Sequence, residues 1–237
     1  MLQVESGRTE SLRERNIAQR RRRILDAARA IIAEGGVASL SMRRLAEQSG
    51  LAVKTLYNLW GGRTTIIEAL TVEGLDSMDA ALASEETPDD PIERCTAIIT
   101  FGVKLIVSDH ALYRPMVLAA YQGDWPRPEH HAVVSGRAGA AMTAAIDAGI
   151  ATGQLRRALD TQMLGLQIYH SYEAAMTGWA VGAIDDETFL AAALYGLNVS
   201  LLAIAADKTR GDIERRIHKL ERQLRARAAR RGKAKGR

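Results

Sequence analysis

Apolar residues recur along this chain at intervals of three and four positions, which is the spacing of amphipathic α-helices. One such stripe near the N-terminus consists of Ile24, Ala27, Ala28, Ile31 and Ile32. No segment of strand length alternates between apolar and polar side chains, so the pattern predicts helices and no sheet. The predicted fold class is therefore all-α, with about nine to ten helices.

Glycines and prolines mark the ends of the predicted helices. Gly35–Gly36, Gly50 and Gly61–Gly62 separate three short helices from one another and from the rest of the chain. Longer helices are predicted at about 64–83, 91–108, 110–124, up to 149, 161–181 and 186–206. The chain is thus divided into residues 1–66, with the short helices, residues 67–207, with the long ones, and residues 208–237.

Residues 41–60 are predicted to form two short helices joined by a tight turn at Gly50. Ser41 can cap the first of them, and the second runs from about Ala52 to Leu59. Leu56 and Trp60 share the inner side of this second helix, which leaves polar residues on its outer side. Such a pair is a helix-turn-helix, although a plain helical hairpin with a solvated face has the same spacing.

The outer residues of the second helix have the chemistry needed to read bases in a DNA major groove. Lys54 can donate to guanine or to a phosphate, and Asn58 can pair with adenine. Val53 or Thr55 can contact a thymine methyl group, while Tyr57 can donate to a phosphate. We therefore predict that this segment is the reading helix of a DNA-binding domain.

The distribution of charge agrees with a polyanionic partner at the two ends of the chain. The net charge is only +4. Residues 1–63 carry 12 Lys/Arg against 6 Asp/Glu, and residues 208–237 carry 13 against 3, whereas residues 64–207 carry 7 against 19. Basic ends with an acidic middle indicate nucleic acid binding at the ends, although basic tails can also serve solubility alone.

The last segment combines an apolar seam with a basic tail. The seam consists of Ile213, Ile217, Leu220 and Leu224, spaced by four, three and four positions. Beyond it no apolar side chain is larger than alanine, so residues 225–237 are predicted to be disordered. A nonspecific DNA tether, pairing between protomers and a solvated end all fit this segment. We favour packing of the seam and weak attraction to phosphates beyond it.

Residues 20–70 resemble the DNA-binding domain of the TetR family of bacterial transcriptional regulators. The resemblance rests on three stretches in order, "ILDAARAIIAEGG", "SMRRLAEQSG" and "TLYNLWGGR". The matching positions are Ser41, Leu45-Ala46, Gly50-Leu51-Ala52, Thr55-Leu56-Tyr57, Trp60 and Arg63. Two positions depart from the family pattern: Ala52 replaces the usual serine cap of the reading helix, and Leu59 replaces an aromatic residue.

The resemblance implies a surface that binds double-stranded operator DNA. It adds phosphate contacts from the basic arm before the first helix and from the start of the second helix to the base contacts of the third. The predicted DNA-binding residues are Arg20, Arg21, Arg22, Ser41, Arg43, Arg44, Val53, Lys54, Thr55, Tyr57, Asn58 and Arg63.

The family resemblance also implies a helical domain for dimerisation and ligand binding. A homodimer would form through helices 161–181 and 186–206; the alternative is that these helices are the core of a monomer. The dimer would place two reading helices on a palindromic operator. A ligand would then move the helix at 64–83 and release DNA, which makes repressor the default function in this family.

The middle helices would enclose a cavity for a small apolar or aromatic effector. The candidate lining residues are Phe101, Leu105, Tyr113, Met116, Val117, Tyr121, Trp125, Gln167, His170 and Met176. Each of these residues also suits an ordinary core. The rival function is an architectural or effector-independent DNA-binding protein with no small-molecule ligand.

Other classes of function lack support in the sequence. There is no Gly-rich phosphate loop and no GxSxG elbow, and His130-His131 has no third ligand at a supporting spacing, so neither an enzyme nor a metal or cofactor site is expected. The single cysteine, Cys95, excludes an internal disulfide and fits a reducing compartment. No apolar run reaches 18 residues and the first residues lack a signal peptide, so we expect a cytoplasmic protein without membrane spans.

Overall fold

The computed structural model describes residues 12–84, 87–121 and 128–235, with side chains over the same ranges except 128–134 and 231–235. Within these residues the chain forms ten α-helices, one 3-10 turn at Val37–Ser39 and no strand, which confirms the all-α prediction. The helices are α1 Leu12–Gly35, α2 Met42–Ser49, α3 Val53–Trp60, α4 Arg63–Leu82, α5 Pro91–Ser108, α6 His110–Tyr121, α7 Pro128–Ala151, α8 Thr161–Ala180, α9 Asp186–Leu202 and α10 Asp207–Lys235.

The chain divides into two compact units, unit 1 at Met1–Leu70 and unit 2 at Thr71–Arg237. The sequence placed this boundary at 66 and treated residues 208–237 as a separate segment. In the structure that segment belongs to unit 2, because α10 packs along α9. The boundary falls inside α4, so this one helix supplies residues to both units.

Unit 1 has a small core built from the helical stripe on α1. Ile24, Ala28, Ile31 and Ile32 are fully buried, and Leu45 and Leu56 are buried with them. The Ser41 Oγ accepts from the N–H of Arg44 at 3.2 Å and caps α2, as the sequence predicted. Gly50 ends α2 in the left-handed conformation with φ 64°, which a residue without a Cβ adopts at little cost. These features fix where α3 begins.

Unit 2 has its core between α5, α7, α8 and α9. Trp179 at the end of α8 and Phe189 on α9 are its largest fully buried side chains. The seam on α10 completes this core, with Ile213, Ile217 and Leu220 buried. The helix then continues to Lys235, so the prediction of disorder is wrong for residues 225–235, the part of that segment that the structure describes.

No single helix of the described residues is long and apolar enough to cross a membrane, although α5 and α6, bent by 107° at their junction, pass that test as a pair. Their core-facing residues, among them Ile98, Ile99 and Met116, are buried within unit 2.

Candidate DNA-binding surface and ligand cavity

Helix α3 has one buried side and one exposed side. Leu56 is completely buried, and Leu59 and Trp60 are half-buried next to it. On the opposite side Lys54 and Asn58 are exposed. The structure thus buries Leu56 on one side of this eight-residue helix and exposes Lys54 and Asn58 on the other, as the sequence predicted.

The exposed side of α3 also carries large apolar surface. Val53 is 39% exposed and Tyr57 is 51% exposed, whereas Thr55 is half-buried. Exposed apolar residues in a row of polar ones suit a surface that meets thymine methyl groups and the sugar backbone. Ala52 forms no side-chain cap at the start of the helix, which is the consequence expected from the missing serine.

The arginines predicted to bind DNA differ in their burial and in their partners within unit 1. The guanidinium of Arg63 is half-buried and donates to the carbonyl of Val37 at 2.8 Å, so it holds α4 to the turn after α1. Arg44 is paired with Glu34 at 2.6 Å, and Arg43 with Glu47 at 3.2 Å. Arg63 and Arg44 therefore have structural roles inside unit 1 that the sequence did not indicate.

Two arginines of the basic run in α1 hold this helix against the helix-turn-helix. The guanidinium of Arg21 lies 5.4 Å from the centre of the Trp60 ring, and that of Arg23 donates to the carbonyl of Ser49 at 2.6 Å. Arg23 was missed as a positioning residue. A signal was present, since Arg21 precedes Ile24 by three positions and Arg23 precedes Ala27 by four, which places both at the border of the buried stripe. Arg20 and Arg22 are exposed.

Unit 2 contains an apolar cavity of about 850 Å³. Helices α4, α5, α6, α7 and α8 all contribute to its wall. The predicted lining residues that the structure places there are Leu105, Tyr113, Met116, Val117, Tyr121 and Met176. A volume of this size is typical of sites for small organic ligands.

Three of the predicted lining residues are not on the wall of this cavity, and a fourth is not among the residues that the structure describes. Gln167 and His170 are exposed, because α8 turns Ile168, Tyr169 and Tyr172 inward and these two residues lie on its other side. Phe101 is half-buried on α5 and does not reach the cavity. Trp125 lies outside the described residues.

A polar cluster interrupts the apolar wall. It consists of Tyr113, Tyr169, Tyr172 and Glu173, and we call it the tyrosine–glutamate cluster. The hydroxyl of Tyr169 hydrogen-bonds Glu173. Burial, and after it the neighbouring Tyr113 and Glu173, raises the pKa of the Tyr172 hydroxyl, so this group stays neutral. Sequence reasoning named Tyr113 but missed the other three, although Tyr169 and Glu173 are four positions apart on one helix face.

The close approach of two helices to this cluster depends on glycine. A Cβ added at Gly102 would lie 3.3 Å from the Tyr172 hydroxyl, and one at Gly74 would lie 3.3 Å from the Tyr113 hydroxyl. Both contacts are tighter than ordinary van der Waals distances, so the glycines leave space for the two tyrosines.

The outer face of α8 and α9 is exposed and weakly polar. On α8 it contains Met163, Gln167, His170 and Ala174, spaced by four, three and four positions, and on α9 and its C-cap it contains Val199 and Ala203. Met163 is 64% exposed and Val199 is 44% exposed. We call these six residues the α8–α9 stripe. Gly196 lets the two helices approach each other beneath it, because a Cβ there would overlap the Ser171 hydroxyl.

The described side chains offer little chemistry for catalysis. They contain no group of three or more His, Cys, Asp or Glu placed to hold a metal ion. Cys95 is buried, and burial raises the pKa of its thiol to about 12, so it is protonated at neutral pH.

Comparison with known proteins agrees with this geometry. Residues 24–70 match the family model described as bacterial regulatory proteins, tetR family. The chain is 28% identical to the HTH-type transcriptional repressor KstR of Rhodococcus jostii (strain RHA1) over 101 residues. These residues cover 43% of this chain and 47% of KstR. The chain thus aligns with about half the length of that relative. It is 24% identical over 186 residues to the fatty acid metabolism regulator protein of Bacillus subtilis (strain 168), or 76% of this chain and 91% of the relative.

A solved structure extends the similarity to the fold. The transcriptional regulator FadR from Bacillus subtilis, in complex with stearoyl-CoA, superposes with a TM-score of 0.60 at 19% identity, over 76% of this chain and 97% of FadR. The proteins to which this chain is similar are transcriptional regulators and not enzymes. The helix-turn-helix of unit 1 and the matching family model together identify residues 24–70 as a DNA-binding domain of the TetR family of bacterial transcriptional regulators.

Proposed function

We propose that this protein is a repressor that binds a palindromic operator as a homodimer and is released by a small apolar effector. The observation that carries the proposal is α3, whose buried Leu56 holds a helix with Lys54, Tyr57 and Asn58 exposed on its outer side. A helix of this kind in a helix-turn-helix enters the major groove and reads base edges. As a regulator of transcription it acts in the cytoplasm.

Operator reading is assigned to the outer side of α3, and phosphate contacts to the exposed basic residues around it. Arg20 and Arg22 are exposed on α1, and Arg43 is exposed on α2. Arg44 and Arg63 are better assigned to holding unit 1 together, because each is half-buried and binds a partner distant in the chain, whereas Arg43 is exposed and is paired only with Glu47 one turn away. Contacts to phosphate position the protein and contacts to bases specify the sequence.

Asn58→Ala and Lys54→Ala are expected to weaken binding to the cognate operator by about 1–3 kcal/mol each, because each removes a hydrogen bond to a base. Binding to random DNA should change little. The measurement is a titration of operator and random DNA at two salt concentrations, starting with the sequence that flanks the gene. Equal loss on both DNAs would mean that these residues touch only phosphate.

The dimer is assigned to the α8–α9 stripe. Its residues include no Asp, Glu, Lys or Arg, and Met163 and Val199 are exposed, as expected of the central part of a protein interface. In a twofold dimer each contact of the interface occurs twice. The same twofold axis relates the two reading helices, as it relates the two half-sites of a palindromic operator.

Val199→Glu is expected to convert the dimer into monomers, since a carboxylate buried in an isologous interface costs several kcal/mol and occurs once in each copy. Analytical ultracentrifugation measures the dissociation constant, and binding to a full palindrome should weaken while binding to a half-site stays unchanged. Ala111→Glu, at an exposed position of α6, is the matched control. A dimer unaffected by Val199→Glu would place the interface elsewhere.

The effector is assigned to the cavity of unit 2. Helix α4 provides Ile66 and Leu70 to the buried part of unit 1 and Thr71, Gly74 and Leu75 to the cavity wall of unit 2. One helix therefore takes part in both binding functions, which supplies a physical basis for coupling them. Couplings of about 1–3 kcal/mol are typical, and DNA must weaken effector binding by the same factor.

Two facts favour an effector over the architectural alternative. The cavity of about 850 Å³ has no evident role in a protein that only shapes DNA. The structure of the similar FadR of Bacillus subtilis was solved in complex with stearoyl-CoA, so a protein of this fold can bind an amphiphilic ligand. The chemistry of the effector of the present protein follows from its own cavity.

A further inference from the structure

The wall of the cavity is adaptable and almost entirely apolar. Four methionines, Met78, Met116, Met142 and Met176, contribute to it together with several isoleucines and leucines. Methionine has three rotatable bonds and a polarisable sulfur, so it adjusts to ligands of different shape. This part of the wall suits the hydrocarbon chain or ring system of a ligand and does not select between positively and negatively charged ligands.

The tyrosine–glutamate cluster supplies the acidic residue of the described cavity wall. Among the described residues that line the cavity, Glu173 is the only Asp, Glu, Lys, Arg or His. The Arg137 guanidinium, next to the lining residue Ala138, is engaged outside the cavity wall by Asp76 at 2.9 Å and by Asp79. A carboxylate in an apolar wall attracts a cation and repels an anion more strongly than it would in water.

The tyrosines next to Glu173 strengthen this preference. The rings of Tyr169 and Tyr172 lie with their centres 6.4 Å apart, and both residues line the cavity. Aromatic faces attract organic cations through the negative potential above the ring, and a desolvated site increases this attraction. A carboxylate beside two aromatic rings is thus a suitable site for an ammonium group.

We propose that the effector is an apolar organic cation, with its hydrocarbon part against the methionine-rich wall and its ammonium group at Glu173, and not a fatty acid or another anionic amphiphile. This inference rests on the proposed effector function of the same cavity. It distinguishes the protein from the similar FadR, whose solved complex contains stearoyl-CoA, an anion.

The test compares three probes with the same tail and different ends: decylamine, decanol and decanoate, each below its micelle concentration. Calorimetric titration of the full chain should show decylamine binding about 10-fold or more tightly than decanoate, the ratio expected for one charge-assisted contact. Glu173→Gln keeps the shape of the side chain and removes its charge. It should weaken decylamine about 10-fold and leave decanol within about twofold.

Glu214→Gln, a half-buried carboxylate of α10 that does not line the cavity, is the matched control and should leave all three affinities unchanged. Wild-type protein that binds decanoate as tightly as decylamine would overturn the inference. So would a Glu173→Gln variant with an unchanged ratio of the two affinities, or no binding of any probe.

Operator release separates this inference from the function on which it rests. Each probe is added to the complex of protein and operator, and the fraction of bound DNA is measured. If decanoate binds best and releases the DNA, the inference fails and the effector function stands. If decylamine binds through Glu173 and the DNA stays bound, the charge preference is supported and the effector function fails.

Discussion

Leu56→Ala is expected to abolish DNA binding on every sequence by loosening α3 from unit 1. Leu56 is completely buried, and truncation of a buried leucine costs about 2–5 kcal/mol. A unit of about 60 ordered residues has a total stability of only about 3–9 kcal/mol. An eight-residue helix does not form by itself in water, so α3 depends on this contact.

The expected pattern differs from that of the base-reading variants. Leu56→Ala should lower the thermal midpoint of unit 1 and weaken binding to operator and random DNA alike. Val53→Ala on the exposed side of the same helix is the control, and should change stability by less than about 0.5 kcal/mol. The measurement is thermal unfolding followed by circular dichroism, together with DNA titration. An unchanged midpoint in Leu56→Ala would contradict the assignment of Leu56 to the core.

Trp179→Ala is expected to have the largest effect on unit 2. The ring is completely buried and stacks on Phe189 with a centroid distance of 5.8 Å. Its Nε1–H donates to the carboxylate of Asp186 at 2.7 Å, and the Arg114 guanidinium lies 4.8 Å from the ring centre. Loss of a buried aromatic side chain costs about 3–5 kcal/mol, and the lost hydrogen bond adds to this.

Trp179→Phe helps to separate the two contributions, because it keeps a six-membered aromatic ring in the stack and removes the pyrrole ring with its N–H donor. We expect it to cost about 1–2 kcal/mol, since Asp186 is partly exposed and keeps His110 at 3.0 Å. Urea unfolding gives the free energies, and the slope with denaturant should stay the same in both variants. Equal losses in the two variants would show that stacking contributes little.

The sequence predicted the helix-turn-helix in detail because its signals are local. Ser41 caps a helix, Gly50 permits a left-handed turn, and Leu56 lies on the opposite side of α3 from Lys54 and Asn58. Each of these features is decided within a few residues of the chain. The partners of the arginines could not be predicted in this way, because a guanidinium on a long side chain can reach either DNA or a backbone carbonyl. Arg63, for example, donates to the carbonyl of Val37, which is 26 residues away in the chain.

The cavity was harder to predict than the reading helix. The residues of α6 were identified largely correctly, with Tyr113, Met116 and Val117 all on the wall. On α8 the prediction chose Gln167 and His170, which are exposed, and missed Glu173. Small and apolar residues occur all around this helix, so its sequence does not define a single buried side.

The sequence by itself determined the all-α class, the position of the helix-turn-helix and its resemblance to the TetR family, because helical periodicity, capping and turns are properties of short segments. Only the tertiary structure decided which arginines hold unit 1 together, which side of α8 faces the cavity, and that Tyr169, Tyr172 and Glu173 meet Tyr113 there. These outcomes depend on how helices distant in the chain pack against one another, and the spacing of residues within each helix does not contain that information.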